Sequence, residues 1–237
     1  MTEETENVAS INIKIKDSIW IRSVLQAIPY IGPLLDNLVT YKGYKYQQER
    51  IEKFMKEVSE DIEILQGQHP IVEMLKSEDG YFVFMEVIDR VRRTKRKEKT
   101  KYYKNLFLNY MYWKSRDSTN DLDVFPEVFL RILDKYTVTH IEVVKELKQT
   151  FDFGDSLKGS HLMSIYKQLN IPGGVFTHIL FELYQDHLIA LKFCNDIERY
   201  DLLSIEMVLD TFIFDEFYYR VVDSPINHMD IPSNVRV

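Results

Sequence analysis

The densest chemistry in this sequence lies between Arg90 and Lys104, RVRRTKRKEKTKYYK, where nine of fifteen side chains are basic and only Glu98 is acidic. Packed guanidinium and ammonium groups attract phosphate and carboxylate oxygens, so the run predicts a basic patch of Arg92, Arg93, Lys95, Arg96, Lys97, Lys101 and Lys104. Three partners fit it. Nucleic acid would use the cations with Tyr102 and Tyr103 beside them. An anionic membrane surface is met by clusters of roughly four to eight Lys and Arg. An acidic protein surface, within the chain or between copies, would balance the same charge. Otherwise the run is a solvated helix junction.

Residues of the types that catalyse or hold metals are present, but not in working patterns. The histidines are His69, His140, His161, His178, His187 and His228, and no two stand at HExxH spacing. His178 and His187 fall on nearly opposite flanks of a helix. Cys194, the one cysteine, sits in an apolar context (LKFCN), as a small core residue rather than a nucleophile. Pro172-Gly173-Gly174 is a turn, not a phosphate-cradling GxxxxGK[ST] loop. Acidic pairs such as Glu60-Asp61 and Asp215-Glu216 read as solvated faces. No catalytic residue, metal or cofactor is expected, and the chain is read as a non-enzyme.

The elements that must carry the patch start from the most apolar run, Ile19 to Val39, IWIRSVLQAIPYIGPLLDNLV. Trp20, Ile21, Val24, Leu25 and Ile28 recur at helical spacing, and Pro29, Gly32 and Pro33 then force an elbow. Its charge-free part, Ser23 to Leu35, is 13 residues long, short of the roughly 20 that a membrane span needs. The run is expected as a core hairpin around which the other helices are arranged. As a sharper alternative, it offers Trp20, Ile21, Leu25, Ile28, Ile31, Leu34 and Leu35 to a partner groove or membrane.

A hydrophobic content of 45% with 28% charged residues is that of a globular protein able to bury a core. Eight Gly and seven Pro predict long elements and few loops. The single cysteine rules out an internal disulfide and points to a cytoplasmic protein, membrane-associated when active. Acidic Glu3, Glu4 and Glu6 are unlike a basic-headed secretory signal. The net charge of −7 is unevenly spread, with four basic and eleven acidic residues from Val175 to Val237.

The expected fold class is mainly α, an N-terminal multi-helix bundle followed by a winged-helix-like α+β domain. A polar arm spans residues 1–16 and the bundle residues 17–118. Helices are expected at Tyr44–Leu65, with Ile51, Phe54, Met55, Val58, Ile62 and Leu65 inward, near Ile71–Lys76, and at Tyr81–Arg92, with Phe84, Val87, Ile88 and Val91 inward. Asp79-Gly80 is read as a turn. A further helix over Arg96–Lys114 has Tyr103, Leu106, Phe107, Tyr110 and Met111 as its apolar face, with Lys97, Lys101 and Lys104 on another. Polar Ser115–Asp123 is the domain boundary.

From 124 to 237, Pro126 opens a helix to Lys135. Thr139-x-x-Glu142 is a capping box for a helix through Phe151. A loop (DFGDSLKGS), a helix His161–Leu169, a helix Val175–His187, strands Leu188–Phe193 and Leu203–Val208, a helix Thr211–Val222 and a frayed IPSNVRV end complete the chain. Three helices, the last two joined tightly, followed by two strands, outline a winged helix. Its third helix, VFTHILFELYQDH, has no Lys or Arg and carries Glu182 and Asp186. Phosphate neutralisation dominates DNA affinity, so protein contact or self-association is preferred over DNA.

Three further segments carry a resemblance: Ile28-Pro29-Tyr30-Ile31-Gly32 before a long charged helix; Arg93-Thr94 with Glu98-Lys99 before an aliphatic helix; and Thr211 with Phe217, similar to a T-x-F-G-x-x-F closing motif in which Phe214 replaces the glycine. They resemble a diffuse group of bacterial helical proteins linked to mobile elements and phage defence. The resemblance implies a non-enzymatic helical interaction or effector protein with a winged-helix-like tail, acting by protein or membrane-surface contact. A DNA-binding transcription regulator is the alternative.

Overall fold

The computed structural model describes residues 45–65, 74, 77–116, 124–151, 157–193 and 205–224. Outside them lie the arm, the elbow with Trp20, Ile21, Leu25, Ile28, Ile31, Leu34 and Leu35, all but Met74 of the 71–76 helix, most of the 115–123 boundary, Cys194 and the IPSNVRV end. The described part is mainly helical, with a small three-stranded antiparallel sheet towards the C-terminus. The chain divides into two compact units, Met1–Leu130 with Ser224–Val237, and Arg131–Asp223.

In the first unit three helices pack together: α1 (Lys45–Leu65), α2 (Glu78–Arg93) and α3 (Thr100–Arg116). Steps of three and four residues put Ile51, Phe54, Met55, Val58 and Ile62 of α1, and Phe84, Val87, Ile88 and Val91 of α2, in the core, as their spacing predicts. On α3 burial runs almost all round, through Tyr102, Tyr103, Leu106, Phe107, Leu108, Tyr110, Met111 and Tyr112. The expected face is there, but α1 and α2 both pack on α3, so the tyrosines off that face are buried too. Phe84 meets Phe107 with ring centroids 5.3 Å apart. Lys104 and Asp61, 2.7 Å apart and mostly buried, tie α3 to α1.

Two local expectations are corrected. Asp79-Gly80 is not a turn but part of the first turn of α2. Ser77 caps that helix, its hydroxyl accepting from the Gly80 amide at 3.1 Å, and Glu78 and Asp79 face the positive end of its dipole. Glycine is needed at position 80 because a Cβ there would lie 2.1 Å from the Met74 carbonyl oxygen. The next helix starts later than expected: Lys97–Lys99 form a 3₁₀ turn and α3 begins at Thr100. Lys97 therefore does not share an α-helical face with Lys101 and Lys104.

Helix α4 (Val124–Lys135), with Pro126 in its first turn, crosses the division between the units. The second unit then runs α5 (Val138–Phe151), β1 (Leu157–Lys158), α6 (Gly159–Gln168), α7 (Gly173–Gln185), β2 (Ile189–Phe193), β3 (Ile205–Asp210), α8 (Phe212–Phe217) and a π turn (Tyr218–Val222). Thr139 is not the cap of α5. Thr137 is: its hydroxyl accepts from the His140 amide at 3.4 Å, and the His140 ring accepts from the Thr137 amide at 3.2 Å, the reciprocal arrangement of a capping box. The DFGDSLKGS loop holds a strand, β1, which pairs antiparallel with β3 (Leu157 opposite Val208). β3 also pairs with β2 (Leu191 opposite Val208), giving the order β1-β3-β2. Helices α6 and α7 both end on a left-handed residue, Asn170 (φ 52°) and His187 (φ 60°). The amides that follow, Ile171 and Leu188, bond back to Tyr166 and Leu183 carbonyls, closing a Schellman motif at each end.

Gly80→Ala should lower the unfolding free energy by about 1–2 kcal/mol, the clash with Met74 outweighing the roughly 1 kcal/mol that alanine gains in helix propensity. His187→Gly should raise it by about 1 kcal/mol by relieving the left-handed backbone. Urea midpoints at constant m-value check both.

Candidate functional site

The basic run folds into the end of α2, a short connection and the start of α3. What fixes the connection is Arg50, in the second turn of α1. Its guanidinium donates to the Arg92 carbonyl at 3.1 Å and to the Thr94 carbonyl, the bare acceptors at the end of α2. Thr94 is extended, its amide bonded to the Arg90 carbonyl at 2.8 Å, so the chain leaves α2 there.

The seven cations of the sequence patch part company. Arg92 is half-buried and pairs with Asp89 at 2.7 Å, and Arg93 pairs with the same carboxylate. Lys104 is committed to Asp61. Lys101 is exposed, its ammonium 4.8 Å from the Tyr102 ring centre. Lys95, Arg96 and Lys97 are exposed, and among the described residues no side chain pairs with theirs. The surface that results is Arg93, Lys95, Arg96, Lys97 and Lys101, with Glu98 among them. Tyr102 and Tyr103 are buried, so neither offers a face for stacking on a base.

The second unit holds a polar cluster that sequence reasoning missed. Glu182 of α7 takes the His140 Nε2 at 2.7 Å, the His178 Nε2 at 3.5 Å and the Lys135 ammonium at 3.8 Å, and Lys135 also reaches Asp186 at 2.9 Å. The Thr137 amide can only donate, so His140 accepts at Nδ1 and carries its proton at Nε2, towards Glu182. Both ring nitrogens are thereby engaged, and neither is set to take a proton from a substrate. Tyr136 stacks on His140, centroids 4.9 Å apart. Its hydroxyl is buried without a well-formed hydrogen bond. Burial first, and then the Asp186 and Glu182 carboxylates, hold its pKa far above the usual phenol range. The signals for this cluster were the i, i+4 series His178, Glu182, Asp186 and the Thr137-x-x-His140 box.

The outer face of α7 is uncharged. His178 and Tyr184 (43% exposed) lie on it and, with Gly174, Thr177, Phe181 and Gln185, line an open groove, while Val175 (45%) is exposed on another flank. Among the described residues no three His, Cys, Asp or Glu side chains converge as a metal requires, and no helix is long and apolar enough to cross a membrane. Compared with protein-family models, curated proteins and solved structures, the chain matches none.

The Tyr136 environment gives a signed pH dependence. The unfolded phenol ionises near pH 10 and the folded one only well above it, so above about pH 10 the unfolded state holds fewer protons and stability falls as pH rises. Between about pH 10 and 11, urea titrations should show a loss of about 1 kcal/mol from this group, the slope steepening towards about 1.4 kcal/mol per pH unit above that. Tyr136→Phe should remove that share of the slope.

Proposed function

We propose that this chain is a non-enzymatic bacterial interaction or effector protein, working through protein and membrane-surface contacts. Phage defence is the setting, which comes from the resemblance of its elbow and basic segments to proteins of mobile elements. The second unit is read as winged-helix-like, a reading supported by its helix-strand-helix-helix-strand-strand order, the tight α6–α7 turn and the placing of β3 between β1 and β2.

One observation carries the choice of protein contact over DNA: α7 has no Lys or Arg, and the face that lines its groove exposes His178, Tyr184 and Gln185. A helix that enters the major groove needs cations for the phosphates and forked donors for the bases. An uncharged, partly aromatic face is the composition of a protein-contact patch, where Tyr is enriched and charge depleted. The acidic Glu182 and Asp186 at its edge would repel phosphate.

A bacterial host expressing the chain and challenged with phage tests this. Plaque counts should drop with the wild type and recover with Tyr184→Asp/Gln185→Asp, a pair of exposed positions on this face that leaves the melting temperature unchanged. Equal counts with and without the wild type would overturn the defence setting. Sequence-specific DNA retardation abolished by the same pair would instead establish the regulator reading.

A further inference from the structure

We infer that the end of the first unit carrying the α2–α3 connection is a docking surface for anionic phospholipid headgroups. The inference rests on the reading of this chain as an interaction protein and names the chemistry of one of its contacts. Arg93, Lys95, Arg96, Lys97 and Lys101 project from about nine consecutive residues in which Glu98 is the one acid, and Arg93 also pairs with Asp89 of α2. Arg50 pins the backbone that bears them by holding the Arg92 and Thr94 carbonyls, and the Lys99 amide bonds to the Arg96 carbonyl at 3.1 Å. The cations are thus presented on fixed backbone rather than on a loose arm.

Three observations favour lipid over nucleic acid. Tyr102 and Tyr103, next to the cations in sequence, are buried in the core and give bases no face to stack on. The patch offers charge alone, in a number within the range that anionic bilayers attract. The same contact by Arg50 also places the first turns of α1 at this end, where Tyr46 stands 76% exposed, an aromatic suited to the headgroup layer.

Flotation of the full chain with phosphatidylglycerol/phosphatidylcholine vesicles, and with phosphatidylcholine alone, at low and high salt, tests the site. Binding is expected only to the anionic vesicles and should weaken with salt. Lys95→Gln/Arg96→Gln/Lys97→Gln should lower the partition coefficient by about 100-fold, at roughly fivefold per cation. These three side chains pair with no described residue, so the variant should keep the wild-type melting temperature. Equal binding to neutral vesicles, or binding untouched by the triple variant, would overturn the site. Retardation of duplex DNA that the triple variant abolishes, with no vesicle binding, would overturn the lipid assignment while leaving an interaction protein. Binding to neither, with phage protection intact, would do the same.

Discussion

The carbonyl end of α2 is the constraint from which the first unit's surface follows. A helix leaves its last carbonyls bare and its dipole negative there, and burying such an end without donors is costly. This sequence answers with cations from two sources: Arg50 reaches across from α1 to two of the carbonyls, and Arg90, Arg92 and Arg93 fill the last turn of α2 itself. Arg90 pairs with Glu86, while Arg92 and Arg93 share Asp89, so part of the positive charge is absorbed by the helix that carries it. The charge that goes beyond this need is the group past Thr94. A run that looks uniform in sequence is therefore two things: a helix terminus and its neutralisation, then a surface.

The second unit uses its polar groups by the same logic. Glu182 would be expensive to leave partly buried and alone, and it is shared among His140, His178 and Lys135. His140 in turn caps α5, so one side chain joins the start of that helix to α7. Lys148, buried, reaches Asp215 of α8 at 3.1 Å and lies over the Tyr219 ring, holding α8 and the π turn to α5. These groups resemble a reactive cluster in composition, yet each contact satisfies a backbone or a neighbouring charge. What remains outward on α7 is apolar or uncharged.

Apolar periodicity was the legible part of the sequence. The stripes of α1 and α2 needed only 3.6-residue spacing, and the core holds Ile51, Phe54, Met55, Val58 and Ile62 of the first and Phe84, Val87, Ile88 and Val91 of the second. Tertiary competition hid the rest. Asp79-Gly80 has turn chemistry, but the Ser77 cap and the nearness of Met74 make it a helix start. Thr139-x-x-Glu142 fits a capping box as well as Thr137-x-x-His140 does on paper, and only the geometry of α5 chooses between them. β1 is two residues long and exists because β3 lies beside it, so no local pattern could announce it. Tyr102 and Tyr112 have polar tips that obscured how completely two neighbouring helices bury α3. The Glu182 cluster joins residues 42 or more apart in sequence to α7, a distance that periodicity cannot see.

Recognition of a DNA sequence requires phosphate-binding cations and base-reading side chains on one element, or on elements docked together in a groove. Among the described residues these properties lie on different elements. The α2–α3 connection has cations, while the aromatics beside them are buried. The outer face of α7 has an aromatic, an imidazole and an amide, Tyr184, His178 and Gln185, but no cation, and two carboxylates border it. Each surface lacks what the other has. A basic surface without readers suits a partner recognised by charge density alone, and an uncharged face without cations suits one recognised by shape. That division of properties between elements, more than either patch by itself, is what favours the proposed interaction protein over a reader of sequence.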